Sequence, residues 1–271
     1  MSRRLAVVLT LCLAACAPSR QAEGPDLARN AGWHWEFLPA GDFDVAVATS
    51  PRRGDGTLTV YLEGDGFAYV QPNQPARDPT PHTPVALRMA LSDPSGALVA
   101  WIGRPCQYTI PEHGRNCRTT LWTTGRYAPE VVDSLSVALD ILKRRSGAGR
   151  LDLVGYSGGG ALAVLLASRR DDVARVVTVV ANLDLAYWTR RDGLTPLAGS
   201  LDPAQEASRL GAVPQVHFTG GKDRTVGTDV VRSYLRALPP GTPARLVEMP
   251  DFTHSCCWAR DWPALVAGIG W

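Results

Sequence analysis

The sequence predicts an α/β protein with a mostly parallel central sheet and helices on both faces. The first observation is that apolar strand patterns alternate with amphipathic helix patterns across residues 33–271. The second is the composition: 45% apolar and 20% charged residues over 271 residues favour one domain with a sizeable buried core. The third is a serine framed by glycines where a predicted strand turns into a helix.

The predicted strands are short apolar runs. Two segments with alternating apolar residues open the body as a hairpin-like pair, and six further runs follow. In chain order the strands cover 33–38, 43–48, 58–62, 97–102, 151–155, 173–180, 215–219 and 245–249.

Helix signals fall between these strands. Residues 129–145 carry apolar side chains at spacings of three and four, and three basic residues precede Gly147. A proline opens the helix predicted over 84–91. A connection of about 30 residues after the sixth strand predicts a small cap or a long loop, with a short helix near 203–210. The remaining predicted helices are 158–169, 229–238 and 263–268.

The N-terminus has the pattern of a secretory signal. Arg3 and Arg4 precede 11 uncharged, mostly apolar residues, 5–15, whereas a membrane-spanning helix needs about 20. The stretch ends in Leu13-Ala14-Ala15-Cys16, which resembles the lipobox of bacterial lipoproteins. This resemblance implies that Cys16 is lipidated and becomes the mature N-terminus. A plain signal peptide cut at a nearby small residue is the alternative.

Three segments are therefore expected: a lipoprotein-type signal over 1–15, a tether over 16–32 and a folded body over 33–271. The tether prediction follows from Pro18, Gly24 and Pro25 and from few apolar side chains. We expect an exported protein of the bacterial cell envelope, lipid-anchored to a membrane and facing the periplasm. The sequence does not predict its oligomeric state.

The charge balance argues against nucleic acid as a partner. Lys and Arg number 28 against 26 for Asp and Glu, and loss of residues 1–15 would leave 26 of each. Such a chain lacks the concentrated positive charge that a phosphate backbone requires. Lipid rather than charge would hold the protein at a membrane.

Four cysteines remain in the predicted body, which allows three pairings. Cys106 and Cys117 would close a short loop and are the favoured pair. Cys256 and Cys257 are adjacent, and a strained bridge, two thiols or cross-bridging to the first loop all stay open. The segment from His254 to Cys257 lacks the paired ligand spacing of a zinc site, so no metal is expected.

Ser157 is the candidate nucleophile. It stands in Gly155-Tyr156-Ser157-Gly158-Gly159 between an apolar strand and a helix rich in Ala and Leu. A serine on so sharp a turn projects its hydroxyl above the sheet, and larger side chains at Gly155 and Gly159 would collide with neighbouring elements. A phosphate-binding loop is disfavoured, because no Lys-Ser or Lys-Thr pair follows.

A serine nucleophile needs a base and an orienting carboxylate. His254 follows the last strand, where the base belongs, and Asp223 follows the penultimate strand. Asp184, after the preceding strand, is the alternative acid. The other four histidines fall in predicted strands or in loops that indicate structural roles: His34, His82, His113 and His217. Trp122, Trp188 and Trp258 lie in or beside the expected site loops and are candidate aromatic walls.

These motifs, in this order, resemble the α/β-hydrolase superfamily over about residues 33 to 271. The resemblance implies a Ser157-His254-Asp223 triad and no cofactor. Four further segments resemble a poorly characterised group of bacterial lipoprotein hydrolases: Glu63-Gly64-Asp65-Gly66, Asp78-Pro79-Thr80-Pro81, Arg104-Pro105-Cys106-Gln107-Tyr108 and Asn182-Leu183-Asp184.

The same resemblance implies an oxyanion hole. One donor would be the backbone N–H of Gly158, and the other that of Asp65 or Gly66 in the loop after the third strand. The family commonly has His-Gly at the start of this loop, and this chain has Glu63 instead. The Asp65 carboxylate should point away from the developing negative charge and accept hydrogen bonds from its own loop.

The predicted activity is hydrolysis of a small carboxylic ester through an acyl-enzyme, with an amide or thioester as lesser options. Two alternatives remain at this point: a catalytically silent envelope protein that uses the fold for binding, and a transacylase. Neither the acyl group nor the leaving group follows from the sequence.

Overall fold

A central eight-stranded sheet organises the molecule. The computed structural model describes residues 19–51 and 56–270, so the predicted signal and Cys16 lie outside the described part. In chain order the strands are β1 (His34–Ala40), β2 (Phe43–Thr49), β3 (Thr57–Leu62), β4 (Tyr69–Gln71), β5 (Gln74–Pro75), β6 (Leu98–Ile102), β7 (Arg150–Tyr156), β8 (Val173–Val179), β9 (Gln215–Gly220) and β10 (Ala244–Met249).

Eight of these strands lie side by side in the order β1-β2-β6-β3-β7-β8-β9-β10. The strands from β6 to β10 in this spatial order all pair in parallel, whereas β2 is antiparallel to both of its neighbours. The mostly parallel sheet predicted from the sequence is confirmed. Since parallel strands end at one edge, the segments that follow β3, β7, β9 and β10 converge there.

Helices cover both faces, as predicted. They are α1 (Arg20–Asn30), α2 (Val85–Leu91), α3 (Pro129–Ser146), α4 (Gly158–Ala167), α5 (Leu185–Arg191), α6 (Pro203–Glu206), α7 (Thr228–Ala237) and α8 (Trp258–Ala267). Buried side chains of α3, α4 and α7 form one apolar layer against the sheet, and those of α1, α2 and α8 form the other. All ten residues of α4 are buried, which explains its apolar composition on every side.

The connection after β8 forms a small cap of short helices. α5 and α6 lie in it, and a 3₁₀ turn, Ala207–Leu210, continues α6. Asp202 joins these pieces, because its carboxylate accepts the backbone N–H groups of Leu185 and Ala186 as well as that of Ala204. The short helix predicted near 203–210 is therefore present.

The tether predicted over 16–32 is not what the structure shows for residues 20–30. These residues form α1, whose Gly24 and Ala28 are buried. Glycine permits the contact, because a Cβ on Gly24 would lie 2.8 Å from ring atoms of both Trp35 and Tyr108. Gly24 and Pro25 are typical of a flexible chain, but here Gly24 is a packing contact.

The last helix starts earlier than predicted. The prediction began at Pro263, but α8 begins at Trp258 and contains this proline. Trp258, Trp262 and Val266 follow one another at spacings of four and are all buried, so they form one face. Pro263 has no backbone N–H, so it cannot donate the usual helical hydrogen bond to the carbonyl of Ala259. The hydroxyl of Ser92 lies 3.4 Å from that oxygen and donates to it instead.

A hairpin that the sequence analysis did not predict projects after β3. β4 and β5 pair in antiparallel fashion as a separate two-stranded sheet. Asn73 lies between them with φ of 70°, in the left-handed region that asparagine tolerates better than most residues. The Pro72-Asn73 pair was the available turn signal.

Two disulfides are present in the described residues. Cys106 is bonded to Cys117 with a Cα–Cα distance of 5.6 Å, which is the pairing that the sequence favours. The other joins the adjacent Cys256 and Cys257, just after His254.

Neither a membrane-spanning helix nor a metal cluster is found in residues 19–51 and 56–270. Their helices are too short or too polar to cross a bilayer. They also contain no group of three His, Cys, Asp or Glu side chains arranged to hold a metal ion.

His217 is a buried histidine in the middle of β9. Its Nδ1 lies 2.8 Å from the hydroxyl oxygen of Thr178, and its Nε2 has no hydrogen-bond partner within the described residues. Burial lowers the pKa of His217 to about 3. The imidazole is therefore neutral in the native protein at neutral and mildly acidic pH.

We expect His217 to reduce stability as the pH falls. Between about pH 6.5 and pH 3 the unfolded chain binds a proton at this residue and the native state does not, so acid favours unfolding. The loss between pH 7 and pH 5 amounts to about 2 kcal/mol. Urea unfolding of the wild type and His217→Gln at both pH values measures this. The variant should lose about 2 kcal/mol less than the wild type, and equal losses would contradict the prediction.

Candidate active site

Ser157 lies on a sharp turn between β7 and α4. Its backbone has φ of 51° and ψ of −122°, a conformation that residues with a side chain rarely adopt. Close packing forces the glycines beside it: a Cβ on Gly155 would lie 2.2 Å from the carbonyl oxygen of Gly159, and one on Gly159 would lie 2.1 Å from that of Leu62. The glycine-framed motif is thus required by the turn that presents the serine.

Three side chains that are distant in the sequence form one chain of hydrogen bonds. Oγ of Ser157 lies 3.0 Å from Nε2 of His254, and Nδ1 of His254 lies 2.9 Å from Oδ2 of Asp223. The side chain of Asp223 is 2% exposed and that of His254 is 20% exposed. The structure therefore brings together the residues that the sequence proposes as nucleophile, base and acid.

Asp223 is held as a carboxylate. Burial raises its pKa, but the hydrogen bond and charge interaction with His254 and two backbone N–H groups lower it more, so the pKa lies below its usual value. The N–H groups are those of Thr225 and Val226, at 2.7 and 3.1 Å from Oδ1. One oxygen is thus fixed by the backbone, which leaves the other to accept from the imidazole.

Neighbouring aromatic residues fix the loop that carries His254. The hydroxyl of Tyr156, the residue before the nucleophile, donates to the backbone carbonyl of His254 at 3.0 Å. Nε1 of Trp258 donates to the carbonyl of Thr253, also at 3.0 Å. Both hydrogen bonds are made to backbone carbonyls. They hold the loop in place and leave both imidazole nitrogens available to Asp223 and Ser157.

Asp184, the alternative acid, is wrong as a partner of His254. One of its carboxylate oxygens accepts the backbone N–H of Tyr187 at 2.8 Å and caps the N-terminus of α5. The other accepts the hydroxyl of Ser233 on α7 at 2.6 Å. Helix α5 begins at the next residue, Leu185, so the side chain of Asp184 is used to cap this helix.

The loop after β3 passes directly beside the start of α4. Gly158 is the first residue of α4, so its backbone N–H has no partner within the helix. A Cβ on Gly158 would lie less than 2 Å from Oδ1 of Asp65, which shows how closely the loop approaches. Gly66 has φ of 70°, and a Cβ on it would lie 2.1 Å from the carbonyl oxygen of Pro79. The loop that carries Asp65 and Gly66 therefore lies beside Gly158, and both residues line the same cavity as Ser157.

The Asp65 carboxylate is bound by side chains from other elements. Arg104 donates to Oδ1, Nη1 of Arg126 donates to Oδ2 at 2.7 Å, and the hydroxyl of Tyr127 lies within 3.0 Å of both oxygens. Burial raises the pKa of Asp65, and the two arginines lower it by more. The expectation of partners within the loop itself is wrong, because buried cations attract the carboxylate more strongly.

Glu63 anchors the base of the same loop. Its buried carboxylate accepts the backbone N–H groups of Gly64, Ala86 and Leu87 and the indole N–H of Trp101, at 3.0 to 3.3 Å. Burial raises its pKa, and these donors partly oppose that shift. From the sequence, Glu63 is only a departure from His-Gly. A glutamate directly after an apolar strand was the one available signal of a buried, bonded acid.

A cavity of about 480 Å³ opens above Ser157. Its wall includes Trp188, whereas the other two candidate tryptophans serve elsewhere: Trp122 donates to the carbonyl of Ala76, and Trp258 supports the histidine loop. The remaining lining residues come from the loop after β3 and from the ends of neighbouring strands: 63–69, 81–83, 85, 126, 156, 182, 225, 226, 254 and 255.

Asn182 lies in the wall of this cavity and has one buried acceptor without a partner among the described residues. Its Nδ2 donates to the hydroxyl of Tyr127 at 2.7 Å, while its buried Oδ1 has no hydrogen-bond partner in the described part of the chain. Arg126 also lines the cavity.

Solved structures share this arrangement of strands. An α/β serine hydrolase without a lid from Xanthomonas campestris matches with a TM-score of 0.56 and 14% identity, over 88% of this chain and 91% of that one. The chain has the α/β-hydrolase fold. An esterase from Pyrococcus furiosus matches this fold with a TM-score of 0.63 and 12% identity, over 89% and 93% of the two chains. A bacterial membrane phospholipase A, described as a virulence factor, matches with a TM-score of 0.59 and 15% identity, over 92% and 91%.

Comparison of the amino-acid sequence with protein-family models and curated proteins finds no match. At identities of 12 to 15% the similarity to solved α/β-hydrolase structures establishes the fold. What the site does must be argued from its own residues.

Proposed function

We propose that this protein is a serine hydrolase that cleaves carboxylic esters through a covalent acyl-enzyme. Oγ of Ser157 attacks the ester carbonyl carbon while Nε2 of His254 takes the hydroxyl proton. The tetrahedral intermediate collapses, and the imidazolium gives that proton to the departing alcohol. Water, activated by the same imidazole, then attacks the acyl group and releases the acid.

The hydrogen-bond chain from Ser157 through His254 to Asp223 carries this proposal. Its two distances, 3.0 and 2.9 Å, allow proton transfer at one end and orientation of the imidazole at the other. A silent binding protein would not need these three groups in contact. The geometry therefore favours the enzyme over that alternative.

The proposed oxyanion site uses backbone donors. The N–H of Gly158 and that of Asp65 or Gly66 would bind the negative oxygen of the tetrahedral intermediate. The negative charge of Asp65 does not oppose this role, because Arg104 and Arg126 bind its carboxylate. The side chains thus neutralise one another beside the reacting atoms.

A fluorophosphonate probe tests the proposal directly, because such probes phosphonylate an activated serine. We expect the wild-type protein to be labelled at neutral pH and Ser157→Ala to show no labelling. Intact-protein mass spectrometry gives the stoichiometry and the site.

Ser255→Ala is the matched control, because Ser255 lines the same cavity and directly follows His254 in the chain, but its hydroxyl takes no part in the hydrogen bonds that link His254 to Ser157 and Asp223. It should be labelled like the wild type. No labelling of a folded wild-type protein between pH 6 and 9, or labelling that persists in Ser157→Ala, would contradict the proposal.

We further propose that a lipid on Cys16 anchors the enzyme to a membrane of the bacterial envelope, with the catalytic body in the periplasm. Support comes from the basic start, the 11-residue uncharged stretch and the lipobox-like Leu13-Ala14-Ala15-Cys16. Mass spectrometry of the mature N-terminus tests this, since a lipid on Cys16 is expected and an unmodified residue elsewhere would contradict it.

A further inference from the structure

The hairpin formed by β4 and β5 continues the rim of the cavity above Ser157. Phe67, Ala68 and Tyr69 line the cavity, and the chain then runs outward into the hairpin. All residues from 69 to 75 are exposed. The hairpin is therefore an extension of the cavity mouth into solvent.

The first strand of the hairpin exposes two large apolar side chains, and the hairpin carries no charged residue. Tyr69 is 36% exposed and Val70 is 51% exposed, which makes Val70 the most exposed large hydrophobic residue in the described part of the chain. No charged residue occurs from Phe67 to Ala76. A tyrosine beside an aliphatic residue on an uncharged hairpin suits the boundary between water and hydrocarbon.

The chain enters the described structure at the base of this hairpin. The guanidinium of Arg20 lies 4.7 Å from the centre of the Phe67 ring, and Nη1 of Arg20 donates to the carbonyl of Thr80 at 3.0 Å. Nε2 of Gln21 donates to Oδ2 of Asp78 at 3.0 Å. These contacts attach the first turn of α1 to both sides of the hairpin segment.

The position of α1 limits the distance between the proposed lipid anchor on Cys16 and the hairpin. Three peptide steps separate Cys16 from Ser19 (19 − 16 = 3), so their Cα atoms are at most about 11 Å apart. The 17-residue tether expected from the sequence would have allowed any orientation of the body. A lipid on Cys16 would instead hold the hairpin side of the molecule against the bilayer.

We propose that the β4–β5 hairpin inserts into the surface of the bilayer and that the cavity takes its substrate from it, so the substrate class is an acyl ester of a membrane lipid. This inference rests on the proposed ester hydrolysis and on the proposed lipidation of Cys16. The apolar side chains enter the boundary of the hydrocarbon, and the ester reaches Ser157 along the wall of Phe67 and Tyr69.

Val70→Asp tests the proposal, with Val137→Asp as its matched control. Val137 is 38% exposed on α3, outside the hairpin, and neither valine lines the cavity. The mature protein is reconstituted with phosphatidylcholine vesicles that contain p-nitrophenyl palmitate. Its activity is also measured on the water-soluble p-nitrophenyl acetate.

We expect Val70→Asp to hydrolyse the vesicle-borne ester at least about fivefold more slowly, because a charge at this position opposes insertion of the hairpin. Its rate on the soluble ester should stay within about twofold of the wild type. Val137→Asp should match the wild type on both esters. Equal rates of Val70→Asp and the wild type on vesicles, or a parallel loss on both esters, would overturn the proposal.

A second measurement does not depend on catalysis. Tryptophan fluorescence is recorded with vesicles of dibrominated phosphatidylcholine, which quench tryptophans that contact the hydrocarbon. We expect Val70→Trp to be quenched more than the wild type and Val137→Trp to be quenched equally to it. No extra quenching at position 70 would overturn the insertion even where esters are hydrolysed.

The two measurements separate failure of this inference from failure of the enzymatic proposal. An active protein without selective vesicle effects or extra quenching contradicts only the bilayer contact. An inactive protein with extra quenching at position 70 contradicts only the hydrolysis. A change from dimer to monomer in Val70→Asp without extra quenching in Val70→Trp would show that the hairpin contacts a second copy, and this too would overturn the proposal.

Discussion

Replacement of Asp223 by asparagine is expected to lower kcat on a soluble ester by about 10⁴-fold while the protein stays folded. The amide oxygen can still accept from the backbone N–H groups of Thr225 and Val226. The amide nitrogen then faces Nδ1 of His254, which must act as the acceptor. The ring proton moves to Nε2, where it blocks transfer from Ser157.

Asp184→Asn is the informative control for Asp223→Asn, because Asp184 is the other acid that the sequence offers. It caps α5 and bonds Ser233 without contacting His254. We expect its kcat to stay within about threefold of the wild type and its stability to fall by less than about 0.5 kcal/mol, because asparagine caps a helix about as well as aspartate does. Steady-state kinetics and urea unfolding of both variants measure this. A large loss of kcat in Asp184→Asn together with normal activity in Asp223→Asn would reverse the assignment.

Asp65→Asn is expected to destabilise the protein by about 3–5 kcal/mol. The substitution removes the negative charge between Arg104 and Arg126, whose side chains are 4% and 10% exposed. Two buried cations would then lie near each other without a counter-ion. A loss of this size corresponds to a Tm lower by about 10 °C, which calorimetry or circular dichroism detects.

Asp251→Asn provides the comparison for Asp65→Asn. Asp251 pairs with Lys222 at 2.7 Å, but its side chain is 85% exposed, so water screens both charges. We expect its Tm to equal that of the wild type. If Asp65→Asn also left the Tm unchanged, the Asp65 cluster would not be the stabilising ion network described above.

The residues of the hydrogen-bond chain were predictable because each of them follows a strand of the parallel sheet. In a parallel sheet the segments after β7, β9 and β10 end at one edge, so Ser157, Asp223 and His254 could be expected there from their positions alone. The spacing of glycines around Ser157 added a local steric requirement. Asp184 satisfied the same rule of strand ends, and only the start of α5 directly after it shows why it turns away.

The features that were missed depend on contacts between distant segments. The buried face of α1 exists because Gly24 meets Trp35 and Tyr108, and nothing in the local composition indicates these partners. The partners of Glu63 come from α2 and β6, and those of Asp65 come from residues about 40 and 60 positions later. Local patterns cannot show which buried charge meets which donor.

The buried carboxylate of Glu63 has a consequence for how the site responds to a ligand. It links the loop after β3, the first turn of α2 and the indole of Trp101 through four donors. The backbone of this loop is therefore held in one orientation by contacts within the protein itself. Little reorganisation should accompany the growth of charge on a reacting carbonyl, which is the property that electrostatic preorganisation requires.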